Sequence, residues 1–211
     1  MSELFAVLED NEGSLWVGSS AVGLLRLRDG KFITTGEPEG LQSDMIWTIA
    51  PRKGGGLWVG SNLGLGSYVA GRYQHIPGPR GHENIKVRSV VEDRQGTLWV
   101  GTLGAGMFRL DQRGMKLFDR RTGLSGNSVT ALIEDRQGRI WVGTEEGLDV
   151  IEQDKIRSMQ SLLHTSEPTP IHLIHEDHAG NFWVATWSQG LFVIGEKGTR
   201  HLGMAEGLPS E

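Results

Sequence analysis

One stretch of this chain, "EDRQGRIWVGTEEGLDVI" at residues 134–151, is written nearly five times over. Counterparts begin at Glu9, Pro51, Glu92 and Glu176, and one tryptophan anchors each of the five copies. These anchors, Trp16, Trp58, Trp99, Trp141 and Trp183, are spaced 42, 41, 42 and 42 residues apart. So regular a period of short apolar runs separated by turns is how a β-propeller writes one blade per repeat. A lone four-stranded sheet has two faces to bury and nothing to bury them against. Stacking copies of the sheet solves that problem.

Each unit reads as four strands. Strand A is an aliphatic, β-branched run such as "SVTALIED". An Asp-x-x-Gly follows at Asp10, Asp93, Asp135 and Asp177, where an Asp that bonds the turn backbone and a Gly that accepts positive φ make a short hairpin loop. Strand B is "LWVG" or a variant, a Gly-Leu opens strand C, and runs such as "KFITT" make strand D. The expected architecture is all-β: a propeller of five four-stranded antiparallel blades of about 42 residues. They span approximately 2–42, 43–84, 85–126, 127–168 and 169–211 in a single propeller domain or propeller segment.

Composition agrees and narrows the function. Thirty-one glycines and seven prolines suit a turn-rich β protein, and no extended 3.6-residue apolar pattern competes. No run approaches the 18 apolar residues of a membrane helix, so no membrane contact is expected of this segment. The opening "MSELFAVLED" reads as strand A rather than as a signal peptide. With no cysteine there is neither a disulfide framework nor a thiolate zinc site. A net charge of −5 without a basic run argues against nucleic acid.

The motif "ED-x-x-G-x-[LIF]-W-V-G-T", then Gly-Leu, then "GL-x-S", resembles the two-component regulator propeller repeat over essentially the whole chain. The second copy, at residues 50–56, lacks the Glu-Asp pair. The resemblance implies tandem repeats that usually form seven-bladed rings. It also implies a periplasmic or extracytoplasmic sensor region of a membrane-anchored bacterial receptor. Such receptors feed histidine kinase, hybrid regulator or diguanylate cyclase outputs, and several members answer to glycans. Both ends of the chain are cut in register with the repeat, so five blades closing alone compete with a piece of a larger ring. The second is preferred. Blades left open would expose apolar faces and drive self-association.

Aligning strand A on the tryptophans sorts candidate residues from architecture. Twelve and nine before each tryptophan the residues are all aliphatic (Leu4 and Val7 in the first repeat), and these are expected to be core. Thirteen and eleven before it they vary in size and charge and share one face, because strand side chains alternate. If strand A is innermost, Trp47, Lys86, Arg88 and His172 on that face line the mouth of the central channel, where a carbohydrate or other small ligand would bind. Trp187 is an aromatic outlier in the loop between strands B and C, placed to stack on an apolar face such as a sugar ring, or else to pack against the long loop "LLHTSEPTPI". The five anchoring tryptophans and the four Asp-x-x-Gly aspartates recur in blade after blade, so their role is architectural.

Catalysis is not expected. "HLIHEDH" places His172, His175 and His178 three apart, on opposite faces of a strand, so they cannot chelate a metal together. No nucleophile elbow, phosphate loop or Ca²⁺ loop is written in the chain, and no cofactor is implied. A lyase of the streptogramin-inactivating type, built on a related propeller, would need a base and a metal in the mouth. His172 is the one plausible base and has no evident carboxylate partner. The remaining alternative to a sensor is a structural or protein-interaction platform.

Overall fold

The computed structural model describes residues 3–79, 81–82, 84–165 and 167–209. Each repeat becomes a four-stranded antiparallel sheet whose strands A to D lie side by side in sequence order. Blade 1 comprises Leu4–Glu9, Leu15–Ser19, Leu24–Arg28 and Lys31–Thr35, and blade 2 comprises Ile46–Pro51, Leu57–Ser61, Gly64–Val69 and Arg72–Ile76. Blade 3 comprises Val87–Glu92, Leu98–Thr102, Met107–Asp111 and Gly114–Phe118. Blade 4 comprises Val129–Glu134, Ile140–Thr144, Leu148–Glu152 and Lys155–Ser158, and blade 5 comprises Ile171–Glu176, Phe182–Thr186, Leu191–Gly195 and Gly198–Leu202. The chain divides into two compact units, Met1–Leu103 with Arg109–Met115, and Gly104–Phe108 with Lys116–Glu211.

The Asp-x-x-Gly turn is also the socket of the anchoring tryptophan. In blade 4, Asp135 Oδ1 accepts the backbone N–H groups of Gln137 and Arg139, at 3.0 and 2.8 Å. Asp135 Oδ2 accepts the indole N–H of Trp141 at 2.8 Å and the Arg139 guanidinium at 2.6 Å. The same indole bond joins Trp16 to Asp10, Trp99 to Asp93 and Trp183 to Asp177, at 2.6, 2.9 and 2.9 Å. The closing glycines Gly13, Gly96, Gly138 and Gly180 all take positive φ, which a side chain would resist. Blade 2 has Arg52 where the others have Asp, so the indole of Trp58 turns to the neighbouring blade and donates to Glu92 at 2.7 Å. A buried indole N–H requires an acceptor, and here the acceptor changes blade.

That bond exposes a second device, the Glu of the recurring Glu-Asp pair. Glu92 also accepts the backbone N–H of Lys53 at 2.9 Å, and in the other unit Glu176 accepts that of Arg136 at 3.0 Å. The carboxylate at the end of one strand A thereby clasps the hairpin turn of the preceding blade. Between blades the apolar packing is close. Trp141 stacks on Phe182 at 4.0 Å, and Trp16 meets Tyr68 edge-on at 5.4 Å. The glycine of "WVG" permits this approach. A Cβ at Gly143 would stand 2.5 Å from Ile171 Cγ2, one at Gly60 would stand 2.6 Å from Val87 Cγ1, and one at Gly18 would stand 2.8 Å from Ile46 Cγ2.

The first blade departs from expectation. Ile46, Val87, Val129 and Ile171 are fully buried, but Leu4 is 64 % exposed, and Val7 is 63 % exposed although Ile49, Val90, Leu132 and Ile174 are buried. They are core residues by sequence position and not by burial, because no blade lies on that side of blade 1 within its unit. Phe32, on the same face, is also exposed. In the second unit Leu173, on the face of blade 5 turned away from blade 4, is exposed as well.

The sockets also set an acid limit. At Asp177 the Trp183 indole, then Asn181, hold the carboxyl far below its usual range. At Asp135 and Asp10 burial pushes the carboxyl up, but the indole bond and the turn N–H groups outweigh it and the pKa is lowered. Groups with depressed folded pKa stabilise above the ordinary Asp value, and that contribution disappears as pH falls through the depressed one. Melting temperature should therefore be level near neutrality and fall steeply below pH ~4, and Asp177→Asn should flatten the fall. A melt series unchanged by that substitution contradicts the assignment.

Candidate functional site

The loop between strands B and C lies against the start of strand A in every blade. Ser20, Asn62, Leu103, Glu145 and Trp187 each donate their backbone N–H to the residue thirteen before the anchoring tryptophan: Glu3, Met45, Lys86, Ser128 and Pro170. The variable positions of strand A and the B–C loop therefore share one end of each blade.

In the first unit that end carries a stack. Phe5, Trp47 and Arg88 occupy the same position on three successive blades. The Phe5 ring lies 4.4 Å from that of Trp47, nearly parallel to it, and the Arg88 guanidinium sits 4.2 Å from the Trp47 ring centroid. Blades 1 and 3 flank blade 2, and a phenyl ring and a guanidinium cannot both occupy one indole face at such distances. Trp47 is thus covered on both sides, with no face left for a ligand. Its N–H donates to Asn62 Oδ1 at 2.8 Å, and Asn62 in turn reaches Met45 Sδ at 2.9 Å. Arg88 is half-buried, its pKa lowered by burial, and its charge rests on the indole. Lys86, two residues earlier, is exposed.

In the second unit His172 and Trp187 come together, their rings 4.4 Å apart and tilted. Trp187 is 56 % exposed. Its backbone is tied to Pro170, but its ring rests on His172 and otherwise faces solvent. Beside them Thr130 bonds the carbonyl oxygens of Ile171 and Gly143, at 2.6 and 3.1 Å. Glu145, at the Trp187 position of the preceding blade, has Oε2 buried without a hydrogen-bond partner.

Away from the start of strand A, the long loop after blade 4 forms a cleft of about 450 Å³ with the outer strands of blade 5, lined by His164, Thr165, Glu167, Gln189, Phe192 and His201. Strand patterning gave no sign of it. The one available signal was the extra length and two prolines of "LLHTSEPTPI". Among the described residues no group of three or more His, Cys, Asp or Glu side chains is placed to hold a metal ion. Nor is any helix among the described residues long and apolar enough to cross a membrane.

Residues 81–104 and 123–146 match the two component regulator propeller family. No curated protein matches the chain. Among solved structures, the extracellular domain of the hybrid two component system BT3049 from B. thetaiotaomicron superposes with a TM-score of 0.84 at 25 % identity, over 98 % of this chain and 29 % of that one. The extracellular domain of the hybrid two component system BT4673 from the same organism gives 0.74 at 26 % identity, over 90 % and 26 %. The chain therefore spans less than a third of the length of these relatives. Virginiamycin B lyase from Staphylococcus aureus gives 0.75 at 13 % identity, over 98 % and 72 %, a likeness of fold alone.

Proposed function

We propose that this chain, built of two-component regulator propeller repeats, is a non-catalytic ligand-sensing segment of an extracytoplasmic bacterial receptor. The observation that carries this reading is the likeness, at 25 and 26 % identity, to extracellular domains of two hybrid two component systems. Those domains are far longer than this chain, so the five blades are read as part of a larger propeller assembly. The strand A mouth is the recognition end, because its residues differ from blade to blade while the aliphatic positions of the same strand stay aliphatic. The open face of Trp187, steadied by His172, takes the apolar face of a sugar ring.

Titration with a panel of neutral and acidic oligosaccharides, followed by tryptophan fluorescence, tests this reading. A saturable change is expected for at least one class. Trp187→Ala should weaken that binding about tenfold, the scale of one lost aromatic stacking contact, with the melting temperature unchanged because the ring is exposed. Binding that survives Trp187→Ala undiminished moves the site elsewhere. Failure of every oligosaccharide to bind overturns the glycan reading. Turnover of a bound sugar or of a streptogramin would overturn the non-catalytic one.

A further inference from the structure

If the variable end of strand A is where a sugar binds, as proposed for this chain, blade 3 offers a seat for an acidic group on it. We propose that Lys86 and Arg88 bind a carboxylate or a sulfate carried by that sugar.

Arg88 is set apart first by its backbone. Val87 pairs with Thr102 and Ser89 with Gly101, and Arg88 is the extra residue between them. Such a bulge takes one residue out of the ladder and re-aims its side chain. Phe5, Trp47, Thr130 and His172 are the extra residues of the same bulge in the other blades. The repeat thus releases one strand A side chain per blade, and in blade 3 that side chain is a cation.

Arg88 is set apart next by its partners. Arg26, Arg52 and Arg139 also lie over tryptophan rings, at 5.0, 5.4 and 5.8 Å. Each of these has an acceptor as well: Arg26 the carboxylate of Glu12, Arg139 that of Asp135, and Arg52 the carbonyl oxygen of Gly55. Arg88 lies nearer its ring, at 4.2 Å, and is half-buried, yet among the described residues its N–H groups have no acceptor. Burial lowers its pKa, and no neighbouring carboxylate opposes that. An indole attracts the charge, but the fork of five N–H donors stays unfilled. A charge withdrawn from water without a counter-ion is held at a cost, and a bound anion would relieve it.

Lys86 supplies a second cation. It stands two residues before Arg88, so their Cα atoms are at most about 7 Å apart. Its side chain is exposed and likewise has no ion pair among the described residues. In a chain of net charge −5, two unpaired cations so close together are not the general character of the surface. A guanidinium fork matches two oxygens of a carboxylate or a sulfate, and the ammonium adds a point charge beside it.

Calorimetric titration with three probes tests the site: a galacturonate oligomer, a sulfated carrageenan oligomer and an uncharged galactose oligomer. At low salt at least one acidic probe is expected to bind about tenfold more tightly than the uncharged one, the scale of one charge-assisted hydrogen bond. The advantage should shrink as salt is raised. An advantage confined to galacturonate assigns the site to carboxylates, and one confined to carrageenan assigns it to sulfates. Arg88→Met keeps a stem over Trp47 without the charge and should abolish the advantage, whereas Arg88→Lys should keep part of it. Lys86→Ala, at an exposed position, should reduce the advantage with the melting temperature unchanged. Equal binding of acidic and uncharged probes, or an advantage that survives Arg88→Met, overturns the acidic site and leaves the sugar-sensing reading standing. Silence of all three probes overturns the acidic site too, and the wider oligosaccharide panel then decides the sugar-sensing reading separately.

Discussion

Trp141→Ala should destabilise the fold by ~3–5 kcal/mol, the range for deleting a large buried aromatic. Trp141 is 2 % exposed, belongs to the core shared by blades 4 and 5, and stacks on Phe182. Its removal leaves a cavity between two blades and also takes away one of the hydrogen bonds on buried Asp135. Trp141→Phe separates the two losses. It keeps a ring in the gap but loses the indole donor and part of the indole's bulk, so about 1–3 kcal/mol is expected, chiefly the cost of a buried polar group left short of a partner. Urea titration of the three proteins gives the ordering directly. Equal midpoints for the Ala and Phe variants would show that packing on Phe182 contributes nothing.

Asp135→Ala should cost a similar amount, ~3–5 kcal/mol, by another route. The carboxylate is 1 % exposed and serves two backbone N–H groups, an indole and a guanidinium. Alanine leaves these donors without their acceptor at the turn joining strands A and B, and Arg139 loses its counter-charge. The double variant with Trp141→Ala should fall well short of the sum, because one of the lost bonds is common to both. Full additivity would mean that the Asp135–Trp141 bond carries no energy. Asp135→Asn keeps an acceptor for the turn but gives up the charge, so it should lie between the parent and the alanine variant.

The period, the strands and the division of strand A into constant and variable positions were all legible in the sequence, because each depends on local patterning repeated five times. The socket was half legible. Asp and Trp recur six residues apart in four repeats, which marks the turn that the Asp closes but not the indole it also holds. The clasp made by Glu92 and Glu176 was not legible, since it joins a residue to a different blade. Its trace was the missing Glu-Asp pair in the second repeat, where Trp58 had to find Glu92 instead. At the variable end of the blades, the sequence picked out Trp47, Lys86, Arg88, His172 and Trp187. It could not tell that Phe5 and Arg88 take both faces of Trp47, because that depends on three successive blades bringing one strand position into register. Leu4 and Val7 show the converse limit. Pattern identifies a residue made to be covered, but the cover itself is a matter of tertiary structure.

The proposed function requires that the variable end of strand A meet a ligand, with Trp187 as its exposed ring. The most direct measurement is tryptophan fluorescence of the unmodified chain and of Trp187→Ala during titration with oligosaccharides. A saturable change is expected in the unmodified chain, and Trp187→Ala should weaken it about tenfold. No saturable change with any oligosaccharide, or one that Trp187→Ala leaves undiminished, would contradict it.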